Sequence, residues 1–249
     1  MRQKIEQLLN QLNSYRPLTE GEIQRLREEF IVDFTYNSNA IEGNTLTLQE
    51  TALVLDGITI DKKPLKEHLE AVGHKDAFHY VQGLVQDKQP LSERVIKQIH
   101  SLVLMDRPQD KGVYRRVPVT IMGAMVEPPQ PYLIPKQMEQ LLQHYAEGEN
   151  ALDVVERAAL FHLQFEAIHP FIDGNGRTGR LLLNLALLQA GYPPINIKYT
   201  DRRRYYDCFT SYHQSGTPAA LVALISTYLE QELIRYIAII TTAHALDKE

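Results

Sequence analysis

One cysteine, no tryptophan and no unbroken apolar stretch of membrane-spanning length set the first limits on this 249-residue chain. A lone thiol, Cys208, excludes an intramolecular disulfide and a cysteine-built zinc cage, and it fits a reducing compartment. The first dozen residues, MRQKIEQLLNQL, alternate charged and apolar groups at helical spacing, so they lack the apolar core of a secretory leader. The expected location is the cytoplasm. An excess of positive charge is missing too. The formal net charge is -5 and the pI about 6.0, which argues against a general nucleic-acid binder with a basic face for phosphates. No internal repeat, low-complexity tract or linker interrupts the chain, which favours one domain with an N-terminal helical extension. What is present, 44% hydrophobic and 23% charged residues, suits a globular chain able to bury a sizeable core.

The pattern reads as helix after helix. Thr19 with Glu22, and Thr47 with Glu50, fit the capping box and predict helices over 20–38 and 48–56. Apolar periodicity predicts further helices over 64–86, 92–105, 135–147 and 153–168. Residues 181–194, LLLNLALLQAGYPP, are apolar nearly all round and predict a central buried helix stopped at Gly191. A last amphipathic helix is expected over about 218–245, closing the core. Only residues 112–129, GVYRRVPVTIMGAMVEPP, carry the β-branched and aromatic content of a hairpin, with Gly123 at its middle.

The densest chemistry lies in residues 169–180, HPFIDGNGRTGR. GNGRTG satisfies the dinucleotide-binding string, with Asp201 at a suitable distance, but a helical pattern precedes it where that fingerprint needs a strand. A P-loop also fails, because Arg180 stands for the lysine and Leu181 for the hydroxyl residue. A third reading starts from the groups themselves. Backbone N–H groups of a Gly-Asn-Gly turn opening onto a helix N-terminus form an anion-binding nest. Arg177 and Arg180 would supply permanently charged forks for outer phosphates, and Asp173 a hard oxygen ligand for Mg²⁺. His169, beside them, has the side chain of a general base that activates a hydroxyl nucleophile.

HPFIDGNGRTGR resembles the Fic motif, HxFx[D/E]GNGRxxR, at every specified position, and the likeness runs from about Phe34 to Gly216. It implies a mainly α fold, a Fic-type helical bundle with a small β-hairpin flap beside the active site. It also implies a protein adenylyltransferase that moves AMP from ATP to a Ser, Thr or Tyr hydroxyl of a target protein, with ATP and Mg²⁺ required. By motif position His169 is the base and Asp173 the Mg²⁺ ligand. Gly174, Asn175 and Gly176 cradle the α and β phosphates, and Arg177 and Arg180 contact the β and γ phosphates. Phe171 is expected to fill the core beneath the loop and His162 to be a buried structural histidine. The resemblance divides the chain into a helical region over 1–60, a catalytic core over 61–217 and a C-terminal helix over 218–249.

A second stretch, TYNSNAIEGNTLT at 35–47, ends a predicted helix with Glu42, an acid where the helix dipole disfavours one. A compensating cation is expected, and Arg180 is the candidate. Ser38 to Gly43 resembles the family's inhibitory motif, [S/T]xxxE[G/N], placed before the Fic motif as in the self-inhibited subclass. The resemblance implies that Glu42 pairs with Arg180 and excludes the γ-phosphate, with Ser38 in support. The same glutamate leaves a deAMPylase, or a bifunctional enzyme, as an alternative. A γ-phosphate-transferring relative and a non-catalytic nucleotide-binding module rank lower, because the glycine turn, His169 and Asp173 are all intact.

The flap over 112–126 would hold an extended target segment by strand addition, with Thr120, Ile121 and Met122 setting preferences. Gly112-Val113-Tyr114-Arg115 resembles the family's entry to the flap, with a solvated edge as the alternative reading of Arg115 and Arg116. Tyr206, of the pair Tyr205 and Tyr206, is expected to border the adenine, and transfer of UMP or another group stays open. ATP and a protein target, which could be the chain itself, are the expected partners, with no nucleic acid and no membrane. Relatives of this subclass often dimerise, so the resemblance leaves a homodimer open, although no interface can be read from the sequence.

Overall fold

The computed structural model describes residues 2–15, 19–120 and 127–246. Within them the fold is helical, and no strand occurs among the described residues. α1 (Arg2–Ser14) precedes α2 (Glu20–Ile41), whose capping box at Thr19 and Glu22 is fully formed. The second predicted box, at Thr47 and Glu50, opens α3 (Leu48–Leu55). α4 (Leu65–Gln86) starts behind Pro64, whose fixed φ suits a helix start, and α5 (Glu93–Val103) is capped by the Ser92 hydroxyl. α6 (Ile134–Glu147) and α7 (Val154–Ile168) follow, the latter capped by Asp153. α8 (Asn175–Gln189), α9 (Arg202–Ser215) and α10 (Ala219–Leu246) complete the chain.

α8 is the axis. Leu181, Leu182 and Leu185 face a cluster containing Phe34, Phe78, Ile96, Ile99 and Phe165, contributed by α2, α4, α5 and α7. Leu183, Ala186 and Leu187 face a second cluster with Ala159 and Leu163 of α7, Tyr205 of α9, and Leu221, Leu224, Ile225 and Leu229 of α10. Ile5 of α1 joins that second cluster, so the N-terminal helix packs beside the C-terminal one. A helix apolar on every side is satisfied only by neighbours on every side. Its buried position fixes the loop at its N-terminus, residues 169–174.

The expected hairpin is where sequence and structure part. Residues 112–120 form turns and irregular backbone, and Ile121 and Met122 lie outside the described residues. The Gly112 N–H donates to His100 Nδ1 and the Arg115 N–H to the Pro170 carbonyl, so this backbone is bound to a side chain and a loop. Pro118, with no N–H to give, weakens strand pairing further.

Candidate active site

The loop between α7 and α8 is held in an uncommon backbone. His169 ends α7 with φ 49°, the left-handed region that non-glycine residues seldom enter, and Gly174 reaches φ 76° before α8 begins. Side chains over-determine this path. Asn175 accepts the Phe171 N–H and donates to the Phe171 carbonyl, each at 2.9 Å, so its amide ties the loop while its backbone stays at the helix N-terminus. Phe171 is buried, as expected, and stacks on His100 at 3.6 Å. Because the Gly112 N–H can only donate, His100 Nδ1 must accept, which puts the proton on Nε2, 2.9 Å from the Asp173 carbonyl. Burial holds that imidazole neutral, its pKa down to about 4.

His169 is itself mostly buried, and burial lowers its pKa to about 4, so the ring is neutral and able to accept a proton at physiological pH. Its Nδ1 has no hydrogen-bond partner among the described residues and lies 3.9 Å from Glu166 Oε2. Glu166 is a residue the sequence reading passed over. Burial, with the Glu42 charge nearby, raises its carboxyl to about 8 against the pull of Arg180.

Asp173, four residues beyond His169, is surrounded by cations. Arg177 Nη2 lies 3.5 Å from Oδ1, and Arg107 Nη2 and Lys66 Nζ lie 3.4 and 3.8 Å from Oδ2. Burial works against its charge, but Arg177, the Gly174 N–H, Lys66 and Arg107 together keep its pKa below the usual value. No group of three or more His, Cys, Asp or Glu that could hold a metal is found among the described residues. One ionised carboxylate beside an anion nest fits a Mg²⁺ ion that arrives with phosphates and keeps waters, and does not fit a closed protein cage.

The two arginines of α8 are both buried and both engaged by α2. Arg177 Nη1 is 3.2 Å from Glu70 Oε1 on α4 and 3.5 Å from Asn39 Oδ1. Arg180 donates through Nε to Ser38 Oγ at 3.0 Å, and through Nη2 to the Ser38 carbonyl at 2.7 Å and Glu42 Oε1 at 2.8 Å. Burial opposes the guanidinium charge, but Glu42, Tyr205 and Glu166 outweigh it and raise its pKa further. This resolves the acid at a helix C-terminus: Glu42 caps α2 while its carboxylate meets the cation of α8. A Cβ added at Gly176 would collide with Glu42 Oε1, so the carboxylate lies directly on the α8 N-terminus, where a phosphate anion would otherwise be favoured.

The remaining candidates divide. His162 is fully buried and hydrogen-bonds the Tyr205 hydroxyl through Nε2 at 2.7 Å, consistent with a structural role. Tyr206 lies at the surface, its hydroxyl 3.4 Å from the Ile41 carbonyl and its ring under the Arg202 guanidinium. Thr120 is exposed. Arg115 is no solvated edge but a buried side chain, whereas its neighbour Arg116 is exposed. Glu70, Asn39, His100 and Glu166 had no role in the sequence reading, and the solvated-edge alternative for Arg115 is overturned by its burial.

A sequence model of the Fic/DOC family matches residues 90–187. Two curated proteins, both named Protein adenylyltransferase Fic, are similar along the chain. The one from Nematostella vectensis is 34% identical over 100% of this chain and 58% of its own length. That from Drosophila grimshawi is 36% identical over 86% of this chain and 44% of its own. The chain therefore spans about half the length of the curated relatives it matches. Among solved structures, a Fic domain containing signaling protein from Bacteroides thetaiotaomicron superposes with a TM-score of 0.87 at 32% identity, covering 96% of this chain and 97% of that one.

Proposed function

The chain belongs to the Fic/DOC family, and on that premise we propose that it transfers AMP from ATP to a hydroxyl of a protein and restrains itself through Glu42. The observation that carries the reading is the placement of neutral His169, ionised Asp173 and both α8 arginines around one helix N-terminus. The names of the curated relatives support it. In this reading the target hydroxyl attacks the α-phosphorus, its proton passes to His169, and the bond to the β-phosphate breaks as pyrophosphate leaves. The Gly174–Gly176 backbone cradles phosphate oxygens and Arg177 and Arg180 bind the outer phosphates, so most of the catalysis is positioning and charge neutralisation. Asp173 would hold Mg²⁺, which when bound supplies charge neutralisation at phosphate oxygens.

Self-inhibition follows from what Arg180 is already doing. Its donors to Ser38 and Glu42 are unavailable to a γ-phosphate, and the Glu42 carboxylate adds a negative charge where that phosphate would lie. These contacts support assignment to the subclass with an N-terminal inhibitory helix. Tyr206 would border the adenine, and the region of Thr120 with the segment after it would receive the target. A protein target, the chain itself included, and a homodimer belong to the same reading.

A second activity, removal of AMP from a modified protein, is favoured by one observation: the Glu42 side chain remains 34% exposed beside the nest, open to a water that it could orient. Label position separates these readings. With Glu42→Gly enzyme, ATP labelled at the α-phosphate should label protein and ATP labelled at the γ-phosphate should not; γ-label on protein would overturn AMP transfer. Glu42-dependent loss of α-label from modified protein would establish the second activity.

A further inference from the structure

Arg115 is 4% exposed, and its partners are four backbone carbonyls drawn from three separate segments. Its Nε donates to the His169 carbonyl at 2.9 Å, Nη1 to the Val117 carbonyl at 3.1 Å and Nη2 to the Pro129 carbonyl at 2.6 Å. Its own N–H donates to the Pro170 carbonyl at 2.9 Å. Val117 lies within the segment 112–126 in which a target-receiving flap was expected, and Pro129 lies just beyond its end. His169 is the residue whose backbone is forced to φ 49°.

We propose that Arg115 is a positioning residue that locks the His169 backbone to the backbone at Val117 and Pro129, so that one guanidinium fixes the base relative to the segment that leads into Thr120. The proposal rests on the AMP-transfer reading above. Its physical basis is the planar fork: three N–H groups point in fixed directions and can serve three carbonyls at once, which a lysine ammonium on a flexible stem does not reproduce. Carbonyls have no alternative charge to seek, so the contact holds its geometry instead of exchanging partners. Without it the His169 carbonyl loses its donor and the left-handed turn loses a restraint. A misplacement of about 1 Å at a reacting group is enough to cost about 100-fold in rate. Arg115 touches no reacting atom; it acts through His169.

The test uses full-length Glu42→Gly protein as parent, with ATP labelled at the α-phosphate and the chain itself as acceptor. Arg115→Lys should lower kcat for self-labelling about 100-fold while leaving affinity for a non-hydrolysable ATP analogue unchanged. By NMR, the His169 imidazole should titrate above its value in the Glu42→Gly parent, as the loosened ring gains water. Should circular dichroism show Arg115→Lys unfolded, Arg115→Gln, which keeps a planar amide but serves fewer carbonyls, is read in its place by kcat and analogue affinity alone, because loss of the guanidinium charge itself raises the His169 pKa. Parent-like kcat and parent-like His169 titration would overturn the proposal, and so would loss of analogue affinity in step with kcat. If the Glu42→Gly parent shows no α-label, the AMP-transfer reading fails, and the NMR comparison still decides whether Arg115 holds His169.

Discussion

Two buried arginines near the α8 N-terminus are held by different chemistry. Arg180 is held by Ser38 and by the Glu42 carboxylate, both on the helix α2, at the end of a helix that reaches partial exposure. Arg115 is held by carbonyls of His169, Val117 and Pro129. A carboxylate on a helix end can withdraw and leave the guanidinium free for another anion, whereas carbonyls cannot leave without the loop itself rearranging. The contrast teaches that Arg180, although the Ser38 carbonyl also holds it, has one charged partner that can separate, whereas Arg115 is held by backbone alone. Breaking a buried pair by deleting one partner costs a few kcal/mol, which is the scale on which a latch must hold.

The contrast can be broken at three places. The largest effect is expected at the residue whose backbone Arg115 holds: His169→Ala in the Glu42→Gly background should lower AMP transfer about 10²- to 10⁴-fold, measured as α-label on protein, with nucleotide binding retained. The next concerns the acid lying between His169 and Arg180. Glu166 is neutral when folded up to about pH 8 but ionises in the unfolded chain near 4.5. The folded state therefore holds the extra proton between those values, and stability falls as pH rises from about 4.5 to 8. Glu166→Gln removes that dependence, so its unfolding free energy relative to wild type should improve by about a few kcal/mol across that window, read by denaturant melts at both ends. A flat difference would show that Glu166 is ionised in the folded protein. The smallest effect belongs to Ser38→Ala, which removes one hydrogen bond to a charged Arg180 and leaves Glu42 in place. Transfer should rise roughly ten-fold, well short of the release caused by losing the carboxylate.

Local chemistry was legible in the sequence, and distant chemistry only where a motif carried it. The capping boxes at Thr19 and Thr47 were readable because donor, acceptor and spacing lie within four residues. The buried α8 could be recognised from its unbroken apolar surface. Glu42 betrayed itself as an acid at the wrong helix end, although its partner lies 138 residues away. By contrast, Arg115 bonds to backbone carbonyls, which any sequence possesses, so nothing in its neighbours signals burial. The Glu70 contact with Arg177 and the His100 bridge between Gly112 and Asp173 depend on how α4 and α5 pack. The β-branched content of 112–120 forms no strand among the described residues, where the Gly112 and Arg115 N–H groups are taken by His100 and Pro170, because strand propensity expresses packing on a neighbouring strand. Had a lone tyrosine pair been weighed by helical phase, the split between buried Tyr205 and exposed Tyr206 would also have been readable.

The central claim is that Glu42 withholds Arg180 from the nucleotide. The most direct measurement compares wild type, Glu42→Gly and Glu42→Gly/His169→Ala at equal concentration with Mg²⁺ and ATP labelled at the α-phosphate, following label on protein with time. Glu42→Gly should transfer about 100-fold or more faster than wild type, and the added His169→Ala change should abolish that gain. Equal rates for wild type and Glu42→Gly, with both proteins folded, would contradict it.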